Sequence, residues 1–229
     1  MALSVVFDLD GTLIDSAPDI HVIANHVLDQ IGADPISLTQ TRSFVGAGAA
    51  VFVERMRTAR AIPEADQDKL LRAFLDMYEG AVTLTRTYPD VPEVLQGLRR
   101  AGARLGICTN KPMRPTASVL RHLGLLELFE SVTGGDSLQV KKPDPAPLLA
   151  TFADLGEGVQ IYVGDSEVDA ETAVRAKVPF LLFTEGYRRA DLSQIPFDGS
   201  FAAFSDLPAL IHRHAGKAPT PISRRTARA

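Results

Sequence analysis

Short apolar runs rich in β-branched residues recur along the chain, and stretches of helical periodicity separate them. Residues 3–8 (Leu-Ser-Val-Val-Phe-Asp), 104–109 (Arg-Leu-Gly-Ile-Cys-Thr), 159–164 (Val-Gln-Ile-Tyr-Val-Gly) and 179–183 (Pro-Phe-Leu-Leu-Phe) read as buried strands. A weaker run, Phe129 to Thr133, precedes Gly134-Gly135. Strands alternating with helices predict an α/β fold, a parallel sheet covered by helices on both faces. Several helix ends are legible. Asp90 stands where an N-cap would precede residues 91–101, with Pro92 in the first turn and Glu93 three residues after the cap. Gly102 then lets the chain leave the helix. Asp144 and Pro145 open a helix that Gly156 stops, and Leu148, Leu149, Phe152 and Leu155 recur in it at helical spacing.

Between residues 16 and 81 no strand-like run occurs. Ile20, Ile23, Val27, Leu28 and Ile31 form one helical stripe; Val51, Phe52, Arg55 and Met56 suggest a second helix; Leu70, Leu71, Phe74, Leu75 and Tyr78 suggest a third. An all-helical insert after the first strand predicts a separate cap, residues 16–81, on a core of residues 1–15 and 82–214. Its hinges fall near Ser16–Pro18 and Gly80–Arg86. Residues 215–229 form a basic tail, with Lys217, Arg224, Arg225 and Arg228 and no acid. Its Gly216, Pro219 and Pro221 predict disorder.

Composition adds constraints. The 229-residue chain is 45% hydrophobic and 23% charged, ordinary for a globular protein. Its net charge of −4 becomes −8 once the +4 tail is set aside. An acidic body argues against nucleic acid or an anionic membrane as partner. It suits a protein whose carboxylates hold a divalent cation, because the metal inverts the local sign. Cys108 is the single cysteine, so no internal disulfide forms, which fits a reducing cytoplasm. The apolar start before Asp8 is too short for a signal peptide, and no apolar run approaches the ~20 residues of a spanning helix.

Four polar clusters stand at strand ends. In Asp8-Leu9-Asp10-Gly11-Thr12, residues i and i+2 of an extended chain point the same way, so both carboxylates can face one cleft. Paired carboxylates repel and need a cation, a shared proton or solvent. Thr109-Asn110 offers a hydroxyl and backbone N–H groups for phosphoryl oxygens. Lys141-Lys142-Pro143-Asp144-Pro145 puts a lysine just before a helix. In Gly164-Asp165-Ser166-Glu167-Val168-Asp169, the i, i+4 spacing puts Asp165 and Asp169 on one face. Each cluster alone has a plain structural account: turn acids, strand exits, a solvated basic loop, acids in a first helical turn. Together they fall at carboxyl ends of parallel strands, where open α/β sheets place their sites. They also supply the positioning and charge neutralisation that phosphoryl transfer needs.

The ordered set Asp-x-Asp-Gly-Thr, Thr-Asn, Lys-Pro and Gly-Asp-x-x-x-Asp resembles the haloacid dehalogenase superfamily, and within it the chain is similar to phosphoglycolate phosphatases. The similarity runs through nearly all of residues 3–188, and Arg42-Ser43-Phe44-Val45-Gly46-Ala47-Gly48 resembles that group's cap segment. The resemblance implies a three-layer, Rossmann-like α/β/α core with a helical cap. It implies that Asp8 attacks phosphorus and that Asp10 serves as acid and then base. Thr109 and the N–H of Asn110 would hold the phosphoryl group, and Lys142 would neutralise charge. Mg²⁺ would sit on Asp8, Asp165 and the backbone carbonyl of Asp10, with Asp169 in the shell behind. Arg42 and Gly46 are the cap's candidates for substrate binding; a lone helix arginine is as often a solvated one. The implied substrate is a small phosphorylated metabolite, best 2-phosphoglycolate, for a monomer or homodimer. The alternatives are a broader phosphatase for sugar phosphates, nucleotides or pyrophosphate, a phosphomutase, and a non-enzymatic binding protein on the same fold.

Overall fold

The computed structural model describes residues 2–215; of the expected tail, residues 215–229, Ala215 is helical, the last residue of a helix, and the rest lies outside the described residues. The strands are β1 (Leu3–Phe7), β2 (Ile14–Asp15), β3 (Arg86–Thr87), β4 (Arg104–Cys108), β5 (Ser131–Thr133), β6 (Val159–Gly164), β7 (Phe180–Phe183) and β8 (Gly199–Phe201). The helices are α1 (Ala17–Asp29), α2 (Leu38–Phe44), α3 (Ala49–Thr58), α4 (Gln67–Tyr78), α5 (Val91–Arg100), α6 (Met113–His122), α7 (Ala146–Leu155), α8 (Glu167–Ala176) and α9 (Leu207–Ala215).

Six strands form one parallel sheet in the order β5-β4-β1-β6-β7-β8. The period-two alternation of the strands splits the core in two. Val5 and Phe7 of β1 face one way, into a cluster with Ile107, Val163, Leu95 and Leu207. Val6 faces the other way, with Cys108, Tyr162, Phe152 and Ala173. Helices thus cover both faces, as the apolar runs predict. The chain builds outward from β1 to β5, then returns to build β6, β7 and β8 on the other side. The reversal puts the carboxyl ends of β1, β4 and β6 side by side, where such sheets bind ligands.

Helices α1–α4 share a third cluster, drawn from residues 20–78, with Ile20, Val27, Phe52, Met56 and Phe74 at its centre. Burying each such side chain contributes about 1.5–3 kcal/mol. The chain crosses between this unit and the sheet twice. The crossings are joined by the antiparallel ribbon of β2 and β3, which pairs Ile14 with Thr87 and Asp15 with Arg86. Asp19 also binds the return crossing, accepting from the Leu84 and Thr85 amides (3.0 and 2.7 Å) and the Thr85 hydroxyl (2.7 Å). Among the described residues no helix is long and apolar enough to cross a membrane.

Some readings need correction. Asp90 does not cap α5 with its side chain; it adopts a left-handed φ of 65°, and no side-chain cap bond forms. The geometry there suits glycine, and Asp is among the few other residues that tolerate it. Lys177, which ends α8, also takes a left-handed φ of 58°. Ile31 lies in the turn beyond the end of α1 rather than in its stripe, and Leu75 and Leu149 lie on the outer sides of their helices; all three are exposed. Helix α2 has no apolar stripe to announce it. It is fixed by the capping box of Ser37 and Gln40.

Candidate active site

Strand β1 ends at Phe7, and the next residues turn sharply beneath β6. Gly11 has φ of 90°, and a Cβ there would stand 2.6 Å from Asp165 Oδ2. Only glycine lets the backbone pass so close to that carboxylate. Asp8 and Asp10 both come out buried, at 6% and 8% exposure. Their environments differ. Asp8 Oδ1 accepts from Lys142 Nζ at 2.7 Å. Asp10 Oδ1 accepts from the Ser16 hydroxyl at 2.6 Å and from Lys111 Nζ at 3.3 Å.

Lys142 Nζ uses its three donors on Asp8 Oδ1 (2.7 Å), Asp169 Oδ1 (2.7 Å) and the Tyr162 hydroxyl (2.9 Å). Tyr162 in turn donates to Asp169 Oδ1 at 2.7 Å. Lys141 beside it is exposed. The backbone of Lys142 is held by the Asn110 side chain, whose Oδ1 accepts from Lys142 N and whose Nδ2 donates to Lys142 O, each at 3.0 Å. The same Nδ2 donates to the Gly46 carbonyl at 3.1 Å, so Asn110 touches both the sheet's loops and the helical unit. Thr109 continues β4 by donating its N–H to Thr133 O at 3.0 Å.

Asp165 follows β6. Its Oδ1 accepts from Thr12 Oγ1 (2.8 Å), its Oδ2 from Tyr187 N (2.6 Å). Ser166, not Asp165, caps α8, in a capping box with Asp169. Asp169 therefore spends Oδ2 on the Ser166 hydroxyl (2.6 Å) and Oδ1 on Lys142 and Tyr162. Oxygens of Asp8, Asp165 and Asp169 lie within 4.8 Å of one another, all three residues buried.

Burial raises the Asp8 carboxyl to about 7, with Lys142 opposing and Asp169 adding to the rise. Burial, then Asp169 and Asp8, push Asp165 well above the usual carboxylate range. Asp169 goes the other way. Burial works against its charge, but Lys142 and the donors around it hold its pKa below normal. Burial also opposes the charge on Lys142, and Asp169 and Asp8 overcome it, so the ammonium persists. Three carboxylates against one ammonium leave two negative charges in excess, the charge of one divalent cation. The donor set, all oxygen, is that of a hard cation. Asp10 lies outside this cluster by its side chain, which faces Lys111.

A cavity of about 20 Å³ lies between these tips and the helical unit, room for about one water. Asp8, Asp10, Thr109, Asn110 and Lys111 line one side; Ile20, Phe52, Phe74, Tyr78 and Gly46 line the other. A second opening, beside Asp165, is lined by Arg55, Glu167 and Arg189. Arg42 lines neither; it is half exposed and donates to Asp15 Oδ2 at 2.9 Å. Sequence reasoning passes over Lys111, Tyr162, Thr12, Ser16 and Arg55. Thr12 stands inside the first motif, and Tyr162 is a polar tip in an apolar strand, so both leave a trace. Lys111 leaves none beyond its place after Thr109-Asn110. Cys108 is buried and its thiol is raised to about 12 by burial, as befits a small core side chain.

Residues 5–183 match the family described as haloacid dehalogenase-like hydrolase. A phosphoglycolate phosphatase of Cereibacter sphaeroides is 48% identical over 212 residues, covering 91% of this chain and 97% of that protein. One from Pseudomonas putida is 37% identical over 90% of this chain and 78% of its own length. The crystal structure of a predicted phosphoglycolate phosphatase from Haemophilus somnus superposes with a TM-score of 0.86 at 29% identity, covering 91% of this chain and 97% of that one. The chain belongs to the haloacid dehalogenase-like hydrolase family.

Proposed function

We propose that this hydrolase releases phosphate from a small phosphorylated acid, 2-phosphoglycolate above others, through an aspartyl-phosphate on Asp8. The observation that carries the reading is the buried set of Asp8, Lys142, Asp165 and Asp169, with Lys142 2.7 Å from Asp8. The substrate rests on relatives named phosphoglycolate phosphatase, among them the Cereibacter sphaeroides protein at 48% identity.

Asp8, Asp165 and the Asp10 carbonyl would hold Mg²⁺, which supplies charge neutralisation to the phosphoryl oxygens when bound. Asp169 keeps both oxygens on protein donors and acts by orienting Lys142. An Asp8 oxygen forms a bond to phosphorus as the bond to the leaving oxygen breaks. Asp10 gives that oxygen its proton. Water then attacks the aspartyl-phosphate, Asp10 takes the water's proton, and the Asp8 carboxylate is regenerated as phosphate departs. Thr109 and the Asn110 N–H hold the transferring group while Lys142 offsets its charge. The helical unit, residues 16–81, acts as a cap whose closure over the core of residues 1–15 and 82–214 excludes water and selects the substrate.

The test is phosphate release by the purified chain with Mg²⁺ across a panel of phosphomonoesters. Activity should be highest on 2-phosphoglycolate, vanish with EDTA, and fall at least ~10³-fold in Asp8→Asn. Full activity in Asp8→Asn sinks the mechanism. Return of an isomer without free phosphate would make it a mutase.

A further inference from the structure

Asp10, as the proton donor to the leaving oxygen, fixes where the organic part of a substrate lies. That part hangs from the leaving oxygen, so it must sit beside the Asp10 carboxylate. The group at that place is the Lys111 ammonium, 3.3 Å from Asp10 Oδ1 and 2.9 Å from the Tyr78 hydroxyl. It is buried and lines the cavity that Asp8 and Asp10 line. An ammonium has three donors. Those of Lys142 are all taken, by Asp8, Asp169 and Tyr162. Among the described residues Lys111 has two hydrogen-bond acceptors, the nearer of them the uncharged Tyr78 hydroxyl. One donor is left over beside the cavity, opposite an apolar wall of Ile20, Phe52 and Phe74.

We infer that Lys111, backed by Tyr78, is the specificity-determining cation that receives the carboxylate of the substrate. This rests on the reading of Asp8 and Asp10 given above. In a two-carbon phosphorylated acid, the carboxylate is one carbon away from the leaving oxygen, so a cation adjoining Asp10 is in the right neighbourhood. The other cations are not. Arg42 is spent on Asp15 outside the cavity. Arg55 donates to the Phe44 carbonyl at 2.9 Å and lines the opening on the Asp165 side. A phosphate ester of the same size with an uncharged organic part leaves the Lys111 donor facing an apolar group, and selectivity for acids follows from that loss.

The experiment compares kcat/KM for 2-phosphoglycolate and for ethyl phosphate, which carries a methyl in place of the carboxylate. Wild-type protein should prefer the acid by about 100-fold, and Lys111→Met, whatever it costs both esters through Asp10, should cost the acid a further ~30–100-fold relative to ethyl phosphate, the scale of one charge-assisted hydrogen bond. Lys111→Arg should recover part of the preference. Tyr78→Phe, which keeps the ring, should raise KM for the acid several-fold with kcat nearly unchanged. An equal loss on both esters overturns the inference, and so does a preference that survives Lys111→Met. A wild-type enzyme that hydrolyses both esters equally overturns the inference, and 2-phosphoglycolate as the favoured substrate with it. Should turnover of both be absent, the catalytic reading falls, and calorimetric binding decides the inference separately. Lys111→Met must then weaken 2-phosphoglycolate ~30-fold and leave inorganic phosphate unaffected; equal weakening of the two rules it out.

Discussion

Lys142 and Lys111 are both buried ammoniums paired with an aspartate just beyond β1, but they are held by different parts of the molecule. Every side-chain partner of Lys142 belongs to the sheet and the helices packed on it: Asp8 after β1, Tyr162 in β6 and Asp169 in α8. Lys111 spans the two units, with Asp10 on one side and Tyr78 of α4 on the other. Its ammonium also rests over the Tyr78 ring, 4.1 Å from the centroid. The first arrangement is complete without helices α1–α4 and holds its charge pattern independently of them. The second exists only while α4 stands over the cleft. On the function proposed above, the phosphoryl chemistry would thus sit on the sheet and its flanking helices, and discrimination between substrates where the helical unit meets them.

The largest test of this contrast is Lys142→Met. It leaves three buried carboxylates with no cation, so the metal-free protein should lose about 3–5 kcal/mol in urea unfolding, as broken buried pairs do. Turnover should fall ~10²–10³-fold or more, as for loss of a preorganised donor. Mg²⁺ should restore part of the stability and little of the turnover. Lys111→Met removes one charge beside a single carboxylate that Ser16 still binds, so it should cost clearly less. Equal urea midpoints for the two variants in EDTA would erase the distinction.

The second test is pH. The Asp8 carboxyl is raised to about 7 and Asp165 is raised as well, both mainly by burial. In the unfolded chain both ionise near 4. Between about 4 and 7 the folded metal-free protein therefore binds more protons than the unfolded one, and stability from these groups falls as pH rises. Asp169, with its lowered pKa, loses its contribution only on further acidification and leaves this window alone. Calorimetry in EDTA should show the Tm decreasing across the window. Saturating Mg²⁺ should flatten the trend, so that its stabilisation grows with pH. A Tm in EDTA that rises from pH 5 to 7 would mean that the cluster is not short of positive charge.

Asp169→Asn tests how far the frame depends on its supports. Asn keeps the size but removes the charge that Lys142 and Ser166 hold, so kcat/KM should drop ~10–100-fold, as is typical when a partner of a metal-site residue is lost. Asn110→Ala probes the other support. It cuts the clamp on Lys142 and the link to Gly46 together, and its effect should exceed that of any single surface change.

What the sequence reveals follows the same divide. The frame is legible because its signals are local. β1, β4, β6 and β7 each have an apolar run, and Asp8, Thr109 and Asp165 follow three of those runs directly. Asp169 is readable from its spacing to Asp165, although its capping role with Ser166 shows only in the folded chain. The seam is not legible. Ribbon β2–β3 has strands of two residues, too short for any periodicity. Lys111 is buried, with Tyr78, 33 positions earlier, arriving over it. A lysine between Asn110 and Pro112 looks like a solvated loop residue until α4 is placed. Arg42 presents the complementary case. A cation in a cap segment is an attractive partner for an anion, but Asp15 of the ribbon reaches it first.

That last point yields the smallest expected effect and the sharpest check on the seam. Arg42 and Asp15 are 46% and 29% exposed, so solvent screens the pair and its worth should be ~0–1 kcal/mol. Asp15 keeps another partner, the Tyr187 hydroxyl, so the ribbon does not depend on Arg42. Arg42→Ala should then change KM for 2-phosphoglycolate by less than about twofold, within the range of a surface substitution. If KM instead rose tenfold for the acid and not for ethyl phosphate, Arg42 would have to swing from Asp15 into the cleft on closure. The carboxylate would then belong to a cap residue that moves, and Lys111 would serve Asp10 alone.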